Sequence, residues 1–219
     1  VFYLPYFSHP DPSVKKRSGF LMPTIQTDKQ LGETFSIPIF INLSSNRDLT
    51  FTPNIQTTAN NFYNLDYRHL NDSFNLEVNS SIDDNDDNTG TSNHLFFESE
   101  IFNSYGNLNT YLKTSNNDTY MRKNNINNLT VLKSGIEFDR EENNTFFSIE
   151  TIGYKHLTLD NRQWEYLYPN IVYDINNIDN NIFDGNVSLN NKFSFRKNLN
   201  ENYVSLASSQ LNWTNQKIK

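Results

Sequence analysis

The chain has 219 residues, 36% hydrophobic, 14% aromatic and 20% charged, with 18 basic against 25 acidic side chains and a formal net charge of −7. The absence of cysteine excludes a disulfide scaffold, a thiolate metal site and a cysteine nucleophile. No run approaches the roughly 18 apolar residues of a membrane helix, and the acidic balance argues against a nucleic-acid partner.

An ordinary globular domain is about 45–50% apolar, so core residues are thinly supplied here. Disordered chains are depleted in aromatics, however, and this one carries 17 Phe and 12 Tyr. It therefore folds. Asparagine, a residue that AT-rich codons specify, fills much of the polar gap with 37 residues. The eight N-x-S/T triplets (at Asn42, Asn71, Asn79, Asn117, Asn128, Asn143, Asn186 and Asn212) barely exceed the roughly six expected by chance and do not indicate glycosylation. The chain opens at Val1 in an apolar stretch without a basic n-region or a small-residue cleavage site, which is not a signal peptide. It reads as a piece of something larger.

Taken in order, strand-like runs fall near 19–27, 33–43, 48–58, 62–70, 73–82, 94–104, 107–115, 129–140, 145–155, 165–175, 182–195 and 203–213. Their dominant period is two. Phe35, Ile37, Ile39, Ile41 and Leu43 form one apolar row. Leu49, Phe51 and Ile55 share a face opposite Thr50, Thr52, Asn54 and Gln56. Leu167, Ile171, Tyr173 and Ile175 form another such face, as do Val187, Leu189, Phe193 and Phe195. These are half-buried strands, and no segment carries a helical stripe. The fold class is all-β.

Most of these runs are 9–12 residues, longer than the usual 5–6 and close to the 9–11 that a tilted strand needs to cross a bilayer. The connections alternate in length. Residues 44–47, 71–72, 105–106, 141–144 and 176–181 read as tight turns, whereas 83–93, 116–128 and 156–164 are long and polar. Short turns at one end and long loops at the other describe an antiparallel transmembrane β-barrel. Pro23 and Pro38 depart from rule, because each lies inside a strand-like run and removes a ladder donor. They mark either edge strands or a hairpin that pairs weakly.

Candidate chemistry is sparse. The run Asp83-Asp84-Asn85-Asp86-Asp87-Asn88 fits a calcium loop at three donor positions. Asn88 stands where glycine belongs, however, and His94 where the bidentate glutamate belongs. It reads as a solvated loop. His9, His69, His94 and His156 lack metal-binding spacing, Glu141-Glu142 sits at a turn, and no nucleotide or hydrolase motif occurs. No cofactor is implied and no residue supports an enzyme. Lys15, Lys16 and Arg17 precede the first strand, either as a solvated linker or at a membrane rim where cations meet lipid phosphates.

The stretch Tyr3-Leu4-Pro5-Tyr6-Phe7-Ser8-His9-Pro10-Asp11-Pro12-Ser13-Val14-Lys15-Lys16-Arg17-Ser18-Gly19-Phe20-Leu21-Met22-Pro23 resembles the LPS-assembly outer-membrane protein family LptD. The same holds for Ile37-Pro38-Ile39-Phe40-Ile41-Asn42-Leu43-Ser44-Ser45-Asn46-Arg47-Asp48-Leu49-Thr50-Phe51-Thr52-Pro53 and for Asp66-Tyr67-Arg68. Asn117-Asp118-Thr119-Tyr120-Met121-Arg122 is similar to the alphaproteobacterial branch of that family.

The resemblance implies a periplasmic β-jellyroll followed by a barrel of 26 strands, of which this chain would supply about the first twelve. Residues 1–18 would be the last jellyroll strand and the hinge, with Lys15, Lys16 and Arg17 touching lipid headgroups there. Residues 19–219 would be barrel. It further implies that a lipoprotein, LptE, plugs the barrel and that an LptA-type bridge feeds the jellyroll. Lipopolysaccharide would then leave sideways into the surrounding outer-membrane lipids through a gate between the first and last strands. Pro23 and Pro38 would weaken that gate, Phe20 and Leu21 would line it, and residues 83–93 and 116–128 would face outside. Two other classes remain open on the residues alone: a generic porin or receptor barrel, and a secreted β-sandwich binding module.

Overall fold

The computed structural model describes residues 16–29, 31–84, 90–158, 164–176 and 185–215. The expectations placed on residues 1–7 and 8–15, Lys15 and His9 included, and on residues 85–88 of the acidic run lie outside them.

Fourteen strands form a single antiparallel sheet. They are β1 (Gly19–Phe20), β2 (Thr24–Asp28), β3 (Gly32–Ser36), β4 (Ile39–Ser44), β5 (Arg47–Gln56), β6 (Phe62–Asn71), β7 (Phe74–Asp83), β8 (Asn93–Asn103), β9 (Gly106–Ser115), β10 (Val131–Glu142), β11 (Thr145–His156), β12 (Trp164–Ile175), β13 (Asn186–Lys197) and β14 (Tyr203–Thr214). From β5 onward each strand pairs with its sequence neighbours, up to β14 at the far edge, and the sheet is not closed.

From residue 48 onward each of the ten strand-like runs corresponds to one strand, residues 182–184 lying outside the described ones. The first two are each cut in half, β1/β2 across residues 21–23 and β3/β4 across residues 37–38. β3 and β4 pair with successive stretches of β5, and β2 and β1 pair with β3 and β4 in turn. The four short strands are thus two long ones, broken where Pro23 and Pro38 remove amide donors. Ile37, assigned to an unbroken apolar row by periodicity, lies in the second break.

Proline is tolerated elsewhere by other means. Pro169 in β12 sits at register shifts against both neighbouring strands, between Glu150 and Ile152 of β11 and between Leu167 and Asn170 of β12 itself where it faces β13.

At one end the connections are short: residues 45–46, 72–73, 104–105 and 143–144. Asparagine builds these turns. The Asn71 and Asn103 side-chain oxygens accept from the Ser73 and Tyr105 amides at 3.0 and 2.7 Å. Asn143 holds the left-handed φ of +50° that a two-residue hairpin turn requires. The tight turn expected over 176–181 lies, apart from residue 176, outside the described residues. At the other end the loops are longer, and the one between β9 and β10 carries a single helical turn, α1 (Tyr120–Lys123). Periodicity could not show so short an element.

Residues directly opposite across an antiparallel pair point to the same side, so the register fixes two faces. One row reads Phe74, Ile101, Leu108, Phe138, Ile149, Ile171, Phe193 and Ala207 across eight strands. One residue over, the adjacent row reads Asn75, Glu100, Asn109, Glu137, Glu150, Asn170 and Ser194. The large exposed apolar side chains follow the first row: Leu65, Leu95, Leu112, Ile136, Tyr173 and Trp213 all fall on that face. Among the described residues, the buried apolar cluster is confined to the long-loop end, where Tyr120, Met121, Leu132 and Leu157 pack with Phe96 and Ile126.

A charge on the apolar face of a membrane barrel costs about 2–4 kcal/mol near the bilayer midplane. Ile149→Arg should therefore lower the stability of the chain refolded in lipid bilayers by that amount in denaturant titration. Ser148→Arg, one residue along on the polar face, should change it by less than about 1 kcal/mol. Equal losses would contradict the two-faced assignment.

Candidate functional site: the first-strand seam and the polar face

The first strand is the most weakly held part of the sheet. β1 meets β4 only through Gly19↔Phe40 and Phe20↔Ile39. Across the proline breaks two further bonds form, from the Leu21 amide to the Pro38 carbonyl at 2.8 Å and from the Ile37 amide to the Pro53 carbonyl at 3.2 Å. Phe20 and Met22 stand 76% and 74% exposed, on an edge that none of the described residues covers. The structure thus brings Phe20, Leu21, Pro23 and Pro38 into one seam.

Below the seam, at the short-turn end, the entering chain is stapled. Lys16 Nζ lies 3.2 Å from an Asp48 carboxylate oxygen, and Arg68 Nε donates to the other at 2.9 Å. Asp48 is buried while both cations are about half exposed. Asn42 adds two bonds: its amide donates to Ser18 Oγ and its Nδ2 to the Lys16 carbonyl, both at 2.8 Å. Lys16 therefore sits on the polar face, paired with Asp48, and Arg17 is exposed. Sequence reasoning missed Asp48 because its partner lies 32 residues away, across two strands.

The polar face is hydrogen-bonded along its ladder. Nδ2 groups of Asn75, Asn107 and Asn170 donate to Glu100, Asp139 and Glu150 directly opposite, at 3.1, 3.0 and 2.6 Å. Glu98 and Lys113 pair at 2.8 Å in a shallow pocket lined also by Glu100, Asn109, Tyr111 and Lys133. The Lys133 ammonium lies 4.6 Å from the centroid of the Tyr111 ring. A wall of this chemistry suits water and sugar hydroxyls and repels acyl chains. The apolar face carries its own marker at the long-loop end, where Trp164, Tyr166, Tyr168, Phe195 and Tyr203 form a chain of rings at centroid spacings of 5.6–6.2 Å. Amphipathic aromatics at that height form an interfacial girdle.

The 116–128 region is not the solvated loop that its polarity suggests. Helix α1 folds back onto the polar face, and the Tyr120 hydroxyl lies 2.9 Å from Ser81 Oγ. Behind Ser81 a buried chain follows. Asn79 Nδ2 donates to Asp66, so Asn79 Oδ1 accepts from His94 Nε2–H at 2.6 Å. His94 Nδ1 is then the acceptor of the Ser81 hydroxyl at 2.6 Å. Every member is satisfied, and Tyr120 closes the chain. Burial pushes the Tyr120 hydroxyl pKa up to about 12, so it stays protonated as a donor. Of the acidic run, Asp83 and Asp84 are described: Asp83 accepts from the Ser92 amide at 2.6 Å and Asp84 from Asn61 Nδ2 at 2.9 Å. Among the described residues no group of three or more His, Asp or Glu side chains is placed to hold a metal ion.

One sheet, apolar on one side and polar on the other, with tight turns at one end and long loops at the other, is a segment of antiparallel β-barrel wall. The particular likeness is to LptD. The chain is 36% identical over 74 residues to the LPS-assembly protein LptD of Psychrobacter cryohalolentis, a match covering 34% of this chain and 7% of that protein. To the LPS-assembly proteins LptD of Shewanella oneidensis and Saccharophagus degradans it is 40% and 33% identical over 70 and 87 residues. Those matches cover 32% and 40% of this chain and 9% and 10% of theirs. No family model matches the chain. About a third of the chain is thus LptD-like, and the match spans about a tenth or less of the curated relatives.

Replacing the shared carboxylate should loosen the staple. Hydrogen bonds to charged groups contribute about 1.5–3 kcal/mol, discounted here because both cations are half exposed. Asp48→Ala should therefore speed exchange of the Leu21 amide, which is bonded to the Pro38 carbonyl, by roughly tenfold, leaving β10 to β13 unchanged. No change at the first strand would show that the ion pairs do not hold it.

Proposed function

We propose that this chain is wall and gate of an outer-membrane translocon that inserts lipopolysaccharide into the outer leaflet. The observation that carries the reading is the seam. The stretch of sheet with the fewest ladder bonds is its first hairpin, cut at Pro23 and Pro38, in a chain a third of which resembles proteins named for LPS assembly. Missing ladder donors lower the cost of parting strands there.

The mechanism is non-enzymatic. The short-turn end faces the periplasm and the long loops face outward. Sugar travels along the polar face, past Asn75, Glu98, Asn109 and Lys133, while acyl chains stay with the apolar edge beside Phe20 and Leu21. The seam opens between the first strand and the strand that closes the complete barrel, and the molecule passes sideways into lipid. Residues 1–18 join a periplasmic jellyroll, supplied by an LptA-type bridge, to the barrel that begins at residue 19. The lipoprotein LptE occupies the lumen. The Lys16–Asp48–Arg68 staple keeps the base of the first strand in place, so that opening runs from the proline breaks toward the long-loop end.

The soluble β-sandwich alternative loses its support, since a sandwich needs a second sheet over the apolar face and a single sheet contains every described strand. A generic porin remains the competitor, and it has no use for a weak first hairpin.

A photo-crosslinking residue at Phe20 or Leu21 of the complete protein should trap lipopolysaccharide in cells, whereas one at Ile149, far around the wall, should trap phospholipid alone. Trapping at neither Phe20 nor Leu21, with sites in the upstream jellyroll labelled normally, would remove the gate.

A further inference from the structure

At the short-turn end of the apolar face, Leu49 and Tyr67 stand opposite one another, and the next pair toward the turn is Arg47 opposite His69. A charged residue on this face requires an explanation. Asp48, its neighbour in sequence, points to the other face and is taken by Lys16 and Arg68. Among the described residues no carboxylate pairs with Arg47. Its Nε donates to His69 Nε2 at 3.3 Å. The His69 ring is held edge-on against Phe74, with centroids 5.2 Å apart and planes at 71°.

The hydrogen-bond inventory then defines the ligand. With Nε used, Arg47 presents both terminal amino groups as a planar fork. Because His69 Nε2 accepts, its remaining proton is on Nδ1, a further donor. Every polar group left over donates, so the partner supplies acceptors alone. It is anionic, it has several oxygens, and it meets the wall where the apolar surface ends. A phosphate fits the fork bidentately.

We propose that Arg47 and His69 form a phosphate site on the lipid-facing side of the wall, which holds a phospholipid headgroup of the leaflet at the short-turn end. The site lies one residue beyond the Leu49–Tyr67 pair and beside the broken first hairpin. A headgroup bound there fixes the height of the seam relative to the bilayer. The proposal rests on the membrane placement of the sheet and not on lipopolysaccharide as cargo.

The test is magic-angle-spinning NMR on the full chain, 15N-labelled at arginine, in phosphatidylglycerol-containing bilayers and phosphate-free buffer. The guanidinium signal lost in Arg47→Gln should be dephased by 31P, as expected for a hydrogen-bonded phosphorus within about 4–5 Å. His69→Leu, which removes the orienting acceptor, should weaken that dephasing several-fold. A second sample in a phosphorus-free detergent with inorganic phosphate should show none. Equal dephasing there would make this a site for free phosphate and overturn the headgroup assignment. Acyl-chain contacts at Leu49 without phosphorus near Arg47 would overturn the site while leaving the membrane placement intact. Absence of both contacts would remove the placement as well.

Discussion

A sheet one residue thick, apolar on one side and hydrogen-bonding on the other, is stable only where two different media meet it. That constraint governs everything else in this chain. Among the described residues, no second layer lies against the row from Phe74 through Ile101, Leu108, Phe138, Ile149 and Ile171 to Phe193, while the row from Asn75 to Ser194 is polar throughout and bonded side chain to side chain at Asn75–Glu100 and Asn170–Glu150. In water the first row would be an extended aggregation surface. In lipid it is ordinary, and the low apolar fraction of 36% is then ample, because half of each strand faces water.

Asparagine turns out to be structural in two ways that codon usage does not explain. At Asn71, Asn103, Asn117 and Asn127 the side-chain oxygen accepts from an amide two residues on and shapes a turn or a loop. On the polar face Asn75, Asn107 and Asn170 donate to carboxylates directly opposite. An amide beside a carboxylate fills an acceptor without adding like charge, which lets an acidic wall remain closely paired. The same economy appears at Asn79, which links Asp66 to His94 in the buried chain that ends on Tyr120.

Much of this was legible in the sequence. Period two gave the strands from residue 48 onward to within a few residues, since alternation continues uninterrupted from turn to turn. The tight turns at 72–73, 104–105 and 143–144 fall within a residue or two of those read at 71–72, 105–106 and 141–144, and the prolines announced the weak hairpin. Three things were not legible. The division of the first two runs into four strands depends on how β5 pairs with both halves. The burial of Tyr120 and Met121 needs a surface formed by Ser81, His94 and Phe96, which come together only in the sheet. The Asp48 staple and the Arg47–His69 pair depend on register, and register fixes which of two adjacent residues faces lipid.

The most direct test of the account is a spin-label scan of β9 in bilayers, one cysteine at a time from residue 107 to 114. Labels at 108, 110, 112 and 114 should collide freely with oxygen dissolved in lipid, and labels at 107, 109, 111 and 113 with a water-soluble nickel chelate. The two accessibilities should alternate with a period of two. Uniform accessibility along the strand, or lipid contact at Asn109 and Lys113, would contradict a wall between membrane and lumen.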